Sequence, residues 1–269
     1  MMTIATPAMR RAARSSEYVK LVAGFAMIYL VLDRSATWTN SLFGEYGALI
    51  CVLVIAAALL VERLLFGIAS RQALGALGFG RPSGRGLLAA LFISLALLAF
   101  FPFFARVSGQ PLALRDGWLW IAFGVLLQGG IAEELLWRGY LFRHLRATRS
   151  FWRAAAIAML FMVAQHLLLL WQLPLPIALA ALVVALLSSF PLAHLFEAGG
   201  NTIWGPALLH CVIQGGLKVV VVPETYLLPA QLGWMVVSVI VPYLAFLARR
   251  PARALQPAES APAPLVGVE

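Results

Sequence analysis

Gln128-Gly129-Gly130-Ile131-Ala132-Glu133-Glu134-Leu135-Leu136-Trp137-Arg138-Gly139 closes an apolar run and sets two adjacent carboxylates, with an arginine just behind them, where lipid would be expected. A single charge at the bilayer centre costs about 2.5–3.5 kcal/mol on insertion scales. Two side by side imply a task that needs them.

The surrounding chain supports the lipid setting. Of 269 residues, 62% are hydrophobic and 12% charged, against about 25% charged in average soluble domains. Apolar runs of about 20 residues recur, each long enough for a ~30 Å hydrocarbon core. The predicted spans are 18–33, 42–62, 86–106, 118–137, 152–171, 175–195, 203–221 and 229–248. The expected fold is therefore all-α, a polytopic membrane protein of about eight transmembrane helices. Residues 1–17 read as a basic cytoplasmic segment, 18–248 as the transmembrane domain, and the Pro- and Ala-rich 249–269 as a disordered cytoplasmic tail. The first apolar run is long and lacks a good cleavage site, so it reads as an uncleaved helix rather than a signal peptide.

The net charge of +9 is distributed in clusters between apolar runs. Sixteen Lys and Arg fall on the side shared by both predicted termini and four on the other. That alternation is a positive-inside signal for cytoplasmic termini, not a nucleic-acid surface. Cys51 and Cys211 both lie in predicted spans, so neither a disulfide framework nor a thiolate zinc site is indicated. The glycine-rich stretch Gly75–Gly84 has no phosphate-loop ending and reads as a flexible connector.

Once the loops are set aside, few ionisable groups remain in the apolar segments: Glu133 and Glu134, His166, and His210 with Gln214 one turn later on the same face. Glu134 and Arg138 have the spacing of a helix ion pair. His144, among arginines, reads as solvated, and His194, near a helix end, as interfacial. A carboxylate and a histidine can hold and deprotonate water, and a histidine with an amide can donate to the oxyanion of a tetrahedral intermediate. There is no Gly-x-Ser-x-Gly, no cysteine beside a base and no His-Glu-x-x-His. Two histidines and a carboxylate are also a known zinc ligand set.

Glu133-Glu134-x-x-x-Arg138-Gly139, then His166 on the next helix and His210 two helices later, resembles the CPBP (Abi) family of intramembrane proteases. That family includes the type II CAAX prenyl endopeptidase and bacteriocin-processing or immunity proteins. The resemblance covers about 118–218. It implies Glu133 as water-activating base aided by His166, Glu134 and Arg138 in support, and His210 with Gln214 as oxyanion hole. It implies no required cofactor, zinc remaining an option. The implied partners are the bilayer and a membrane-associated protein or peptide substrate, lipidated substrates included. An integral plasma (inner) membrane location follows. Two positions depart from the family pattern: Met162 stands where Phe is usual, and Gln214 where Asn is usual.

Spacing alone lets either glutamate be the base; the resemblance selects Glu133. A non-proteolytic immunity or adaptor protein of the same fold is the alternative, with Met162 and Gln214 in its favour. A proton-coupled transporter would use the same Glu and His, but lacks paired broken helices in the sequence. Depth poses a further question. His166 lies about 20 Å along its helix from Arg153, whereas Glu133 lies near the end of its predicted span. Either the histidine helix starts outside the membrane or tilts, or the glutamate helix continues past Gly139.

Overall fold

The computed structural model describes residues 7–40 and 43–249, with side chains from residue 16 onward. Helix dominates, as apolar runs in lipid require, because each backbone N–H and C=O must be satisfied within its own segment. The long helices are α1 (Pro7–Thr39), α2 (Gly47–Phe66), α3 (Gly84–Ser108), α4 (Trp118–Arg146), α5 (Phe151–Trp171), α6 (Leu175–Ala198), α7 (Trp204–Val219) and α8 (Glu224–Leu247). Two short strands, β1 (Ala113–Leu114) and β2 (Val220–Val221), pair antiparallel and tie the start of α4 to the end of α7. Arg115 strengthens the tie: its backbone N–H donates to the Val219 carbonyl at 2.8 Å and its Nε to the Lys218 carbonyl at 3.0 Å.

Each expected span overlaps one of these helices, although 203–221 runs on into β2 and 42–62 starts before α2. Among the described residues six, α2 to α6 and α8, are long and apolar enough to cross a membrane. Helix α7 has 16 residues, roughly 24 Å at 1.5 Å per residue, short of a ~30 Å core. Helix α1 begins at Pro7, so the helix starts before the first predicted span at residue 18. Residues 1–6 and 250–269, including nearly all of the tail expected to be disordered, lie outside the described residues.

Helix α4 is the centre of the bundle: 44% of its most apolar window is buried, against 17–33% for the other five. Trp137, Tyr140 and Phe142 on α4 pack with Ile28 of α1 and Ile50 and Val54 of α2 in one apolar cluster. Leu97, Phe101, Leu192, Leu209 and Trp234 form a second between α3, α6, α7 and α8. The outward faces stay apolar. Trp120 and Trp171, 78% and 80% exposed, sit at the same end of the antiparallel pair α4–α5, where a membrane-interface aromatic belt would place them.

The predicted end of α4 at residue 137 is too early. The helix runs on to Arg146 because its charges meet buried acids, one on the same helix and two from distant elements. Arg138 pairs with Glu134 at 2.7 Å, Arg143 with Glu62 of α2, and Arg146 with Glu197 of α6 at 2.6 Å. This answers the depth question. Glu133 lies 13 residues from Arg146, and His166 lies 15 from Phe151 across the turn, so both sit about 20 Å from the basic end.

Three further expectations are corrected. Gly75–Gly84 is not a loose connector: a short helix, Ser70–Leu74, passes into a wide turn, Gly75–Phe79, with Leu77 and Gly78 buried. Gly78, at φ 95°, accepts from Ile203 N–H at 3.1 Å. Gly139 faces the Leu77 carbonyl so closely that a Cβ there would collide with it, which gives the motif's glycine its reason. The start of α7 is thereby held at the level of Gly139, and α7 is short because it begins inside the bundle. His144 is not solvated; it packs between the Phe66 and Tyr140 rings and lies 2.9 Å from Glu62 Oε1. His194 is buried rather than interfacial, its Nε2 donating to the Ala248 carbonyl at 2.8 Å.

Candidate active site

Two wide π-helical turns, Leu126–Ala132 and Leu135–Phe142, flank Glu133 and Glu134 on α4. Such turns inside longer helices recur at functional sites. Neighbouring residues on a helix point in different directions, so the two carboxylates enter different surroundings. Glu134 is fully buried, whereas the Glu133 side chain keeps 18% exposure and lines a cavity.

Around Glu134 the arrangement is tight. Its Oε1 accepts from Arg138 Nη1 at 2.7 Å and from His210 Nδ1 at 2.6 Å. Arg138, also buried, reaches the Ser189 carbonyl at 3.5 Å. Breaking a buried ion pair by removing one partner costs about 3–5 kcal/mol, because the other charge is left without compensation. Glu134 and Arg138 therefore hold each other in place, and together they fix His210.

Gln214, one turn beyond His210 on α7, connects this buried pair to Glu133. Its Nε2 donates to Glu133 Oε1 at 3.0 Å and lies 3.0 Å from His210 Nε2. An amide nitrogen only donates, so His210 Nε2 accepts here, and the ring is neutral with its proton on Nδ1. A continuous chain results: Arg138 donates to Glu134, His210 donates to Glu134, and Gln214 donates both to His210 and to Glu133. Both Gln214 amide hydrogens are committed within it. The extra methylene that Gln has over Asn is accommodated by Gly129, where a Cβ would coincide with the Gln214 amide oxygen.

The cavity holds about 210 Å³ and is lined by Glu133, Met162, His166, His210 and Gln214, among others. His166 donates from Nδ1 to the Met162 carbonyl at 2.9 Å. The neutral ring then carries its lone pair on Nε2. Met162 in turn accepts from the Ser189 hydroxyl at its sulfur, 3.3 Å away. Glu133 and His166 share the cavity but are not joined by a hydrogen bond. Among the described residues no three His, Cys, Asp or Glu side chains are gathered as a metal site, so the Glu/His/His set does not form a ligand cluster.

Sequence reasoning overlooked two serines that line the same cavity, Ser188 on α6 and Ser238 on α8. Both are buried, and the Ser238 hydroxyl makes no hydrogen bond with the described residues. Their only signal was a hydroxyl in an apolar run, beside Ser189 in one case, and hydroxyls bonded within their own helix share that signal.

No curated protein matches the chain. The family model described as type II CAAX prenyl endopeptidase Rce1-like matches residues 115–215. That segment contains all of Glu133, Glu134, Arg138, His166, His210 and Gln214, and it runs from just before α4 to near the end of α7. The matched segment, with its Glu-Glu-x-x-x-Arg helix between the two histidine helices, is similar to type II CAAX prenyl endopeptidase Rce1-like proteins and lies within an integral membrane protein.

Proposed function

We propose that the protein is an intramembrane endopeptidase that hydrolyses a peptide bond of a membrane-associated substrate, with Glu133 as the base that activates water. The observation that carries this reading is the hydrogen-bond chain from Arg138 through Glu134, His210 and Gln214, which ends on the one carboxylate of the pair that lines the cavity. The family match supports the class, a CAAX-type endopeptidase.

In this mechanism Glu133 takes a proton from a cavity water, with the His166 Nε2 lone pair as a second acceptor. The water oxygen attacks the scissile carbonyl carbon. Negative charge moves from the carboxylate to the carbonyl oxygen. A neutral carboxylic acid accepts a hydrogen bond less strongly than a carboxylate. Gln214 therefore exchanges its bond to Glu133 for one to the new oxyanion. Glu133 then returns the proton to the leaving nitrogen as the C–N bond breaks. Removing a single oxyanion donor costs about 10²–10³ in kcat in a well-studied protease. Glu134 and Arg138 act through His210, as positioning residues. The mechanism requires no metal or cofactor from the chain's own groups.

We assign the basic end of the bundle, with Arg143, Arg146 and Arg149, to the cytoplasmic side of the plasma membrane. The substrate is a protein or peptide presented from the bilayer, lipid-anchored substrates included, and nucleic acid is not a partner. The test is cleavage, by the purified protein in detergent, of a farnesylated peptide and of the same peptide without its lipid, with products located by mass spectrometry. A single cut in the farnesylated peptide is expected. Absence of a cut in either peptide, under conditions where the protein is folded, overturns the assignment of a prenylated-peptide substrate.

A further inference from the structure

About 20 Å from Glu133, at the basic end, the protein carries a second concave site. It is a bowl of about 860 Å³. Arg81, from the connection before α3, faces it together with Arg143 and Arg146 of α4 and Arg149 of the turn after α4. Asn201 and Thr202, between α6 and α7, also line it, and among the described residues no carboxylate does. Four cations thus line one bowl from two separate parts of the chain, Arg81 and the stretch from Arg143 to Arg149.

Two of them are fixed from behind. Glu62, fully buried, accepts from Arg143 and lies 2.9 Å from His144 Nε2. Glu197, also buried, accepts from Arg146 Nε at 2.6 Å, and Arg146 Nη1 is tied to the Arg149 carbonyl at 2.9 Å. Helix-topology signals need only charge on the right side. They do not need buried carboxylates behind guanidinium groups on a shared concave wall. Guanidinium groups held in this way are pre-organised for phosphate oxygens. Basic pockets between helices at this level of a membrane bind anionic headgroups.

We propose that this bowl binds a phosphate-bearing anion with no cation of its own, presented as a phospholipid headgroup or as free phosphate. Arg81 supplies the adjustable contact and Arg143 and Arg146 the fixed ones, while Arg149 closes the edge with its guanidinium over the Tyr18 ring at 5.0 Å and one nitrogen donating to the Tyr18 hydroxyl at 2.6 Å. The site is separate from the cavity at Glu133, and its occupancy does not depend on proteolysis.

The experiment measures binding to the full chain in detergent at low ionic strength, using dihexanoyl-phosphatidylglycerol, dihexanoyl-phosphatidylcholine and inorganic phosphate as probes. Saturable binding of the phosphatidylglycerol with weaker binding of the phosphatidylcholine is expected. Competition by inorganic phosphate at similar concentration assigns the recognition to phosphate alone, and failure to compete assigns it to the lipid headgroup. R81Q/R149Q is expected to weaken binding about 30-fold and R81Q alone about fivefold, one step per arginine. Arg143 and Arg146 are left in place because their removal would strand buried glutamates. Equal binding of the two lipids, no binding of either anion, or wild-type affinity in a folded R81Q/R149Q would each overturn the proposal.

Discussion

Gly129 leaves open the space that the Gln214 side-chain oxygen occupies: a Cβ on Gly129 would overlap it. The two residues belong to different helices, α4 and α7, and their fit sets where the Gln214 nitrogen meets Glu133 at 3.0 Å. A glutamine in place of a shorter amide is thus part of a matched pair.

That match predicts a coupling. G129A should lower kcat/KM on a cleaved peptide about 100-fold, the scale that a 1 Å displacement of a catalytic group produces. Q214N should also lose activity, since the shorter side chain withdraws from Glu133. The G129A/Q214N double variant should be no slower than Q214N alone, because the shorter side chain leaves nothing for the added methyl to strike. Steady-state kinetics on the four proteins check this, and additive losses would refute the coupling.

Glu133 and Glu134 should fail in different ways. E133Q should reduce kcat about 10²–10⁴-fold, the usual contribution of a general base, while the unfolding temperature in detergent stays near wild type. E134Q should lower that temperature markedly, because it leaves Arg138 buried without its counter-charge. Thermal unfolding monitored alongside activity distinguishes the two.

A related prediction concerns the pair itself. R138M alone should destabilise by about 3–5 kcal/mol, and the E134Q/R138M double variant should be less destabilised than the sum of the singles, since neither remaining group is then an uncompensated charge. Chemical unfolding of the three variants tests it. Strict additivity would mean that the contact at 2.7 Å carries little coupling.

Among the described residues the His166 side chain hydrogen-bonds to the Met162 carbonyl of its own helix and to no other partner. H166A should therefore leave stability nearly unchanged while lowering kcat about 10- to 100-fold, through loss of the second acceptor for water. Loss of folding would instead assign it a packing role.

The sequence made the membrane class and the pairing of His210 with Gln214 readable, because both rest on local periodicity. Helix α4 past Trp137 was not readable in that way. Arg138, Arg143 and Arg146 look like a loop in any local window, and the partners that let the last two stay in a helix, Glu62 and Glu197, are 81 and 51 residues away in sequence. The same distance hid His144, whose acid partner is Glu62. Gly75–Gly84 was misread for a related reason: Gly78 permits close packing against Ile203, and the Leu77 carbonyl sits against Gly139 rather than in solvent. Assigning the two glutamates needed the third dimension as well. Spacing left them equivalent, whereas burial separates the arginine-paired Glu134 from the cavity-lining Glu133.

The most direct test of the account is the initial rate of peptide cleavage by purified wild-type protein and by E133A in detergent, with and without a chelator. Wild type should cleave at the same rate under both conditions, and folded E133A should fall to background. Cleavage by E133A at the wild-type rate would contradict Glu133 as the base.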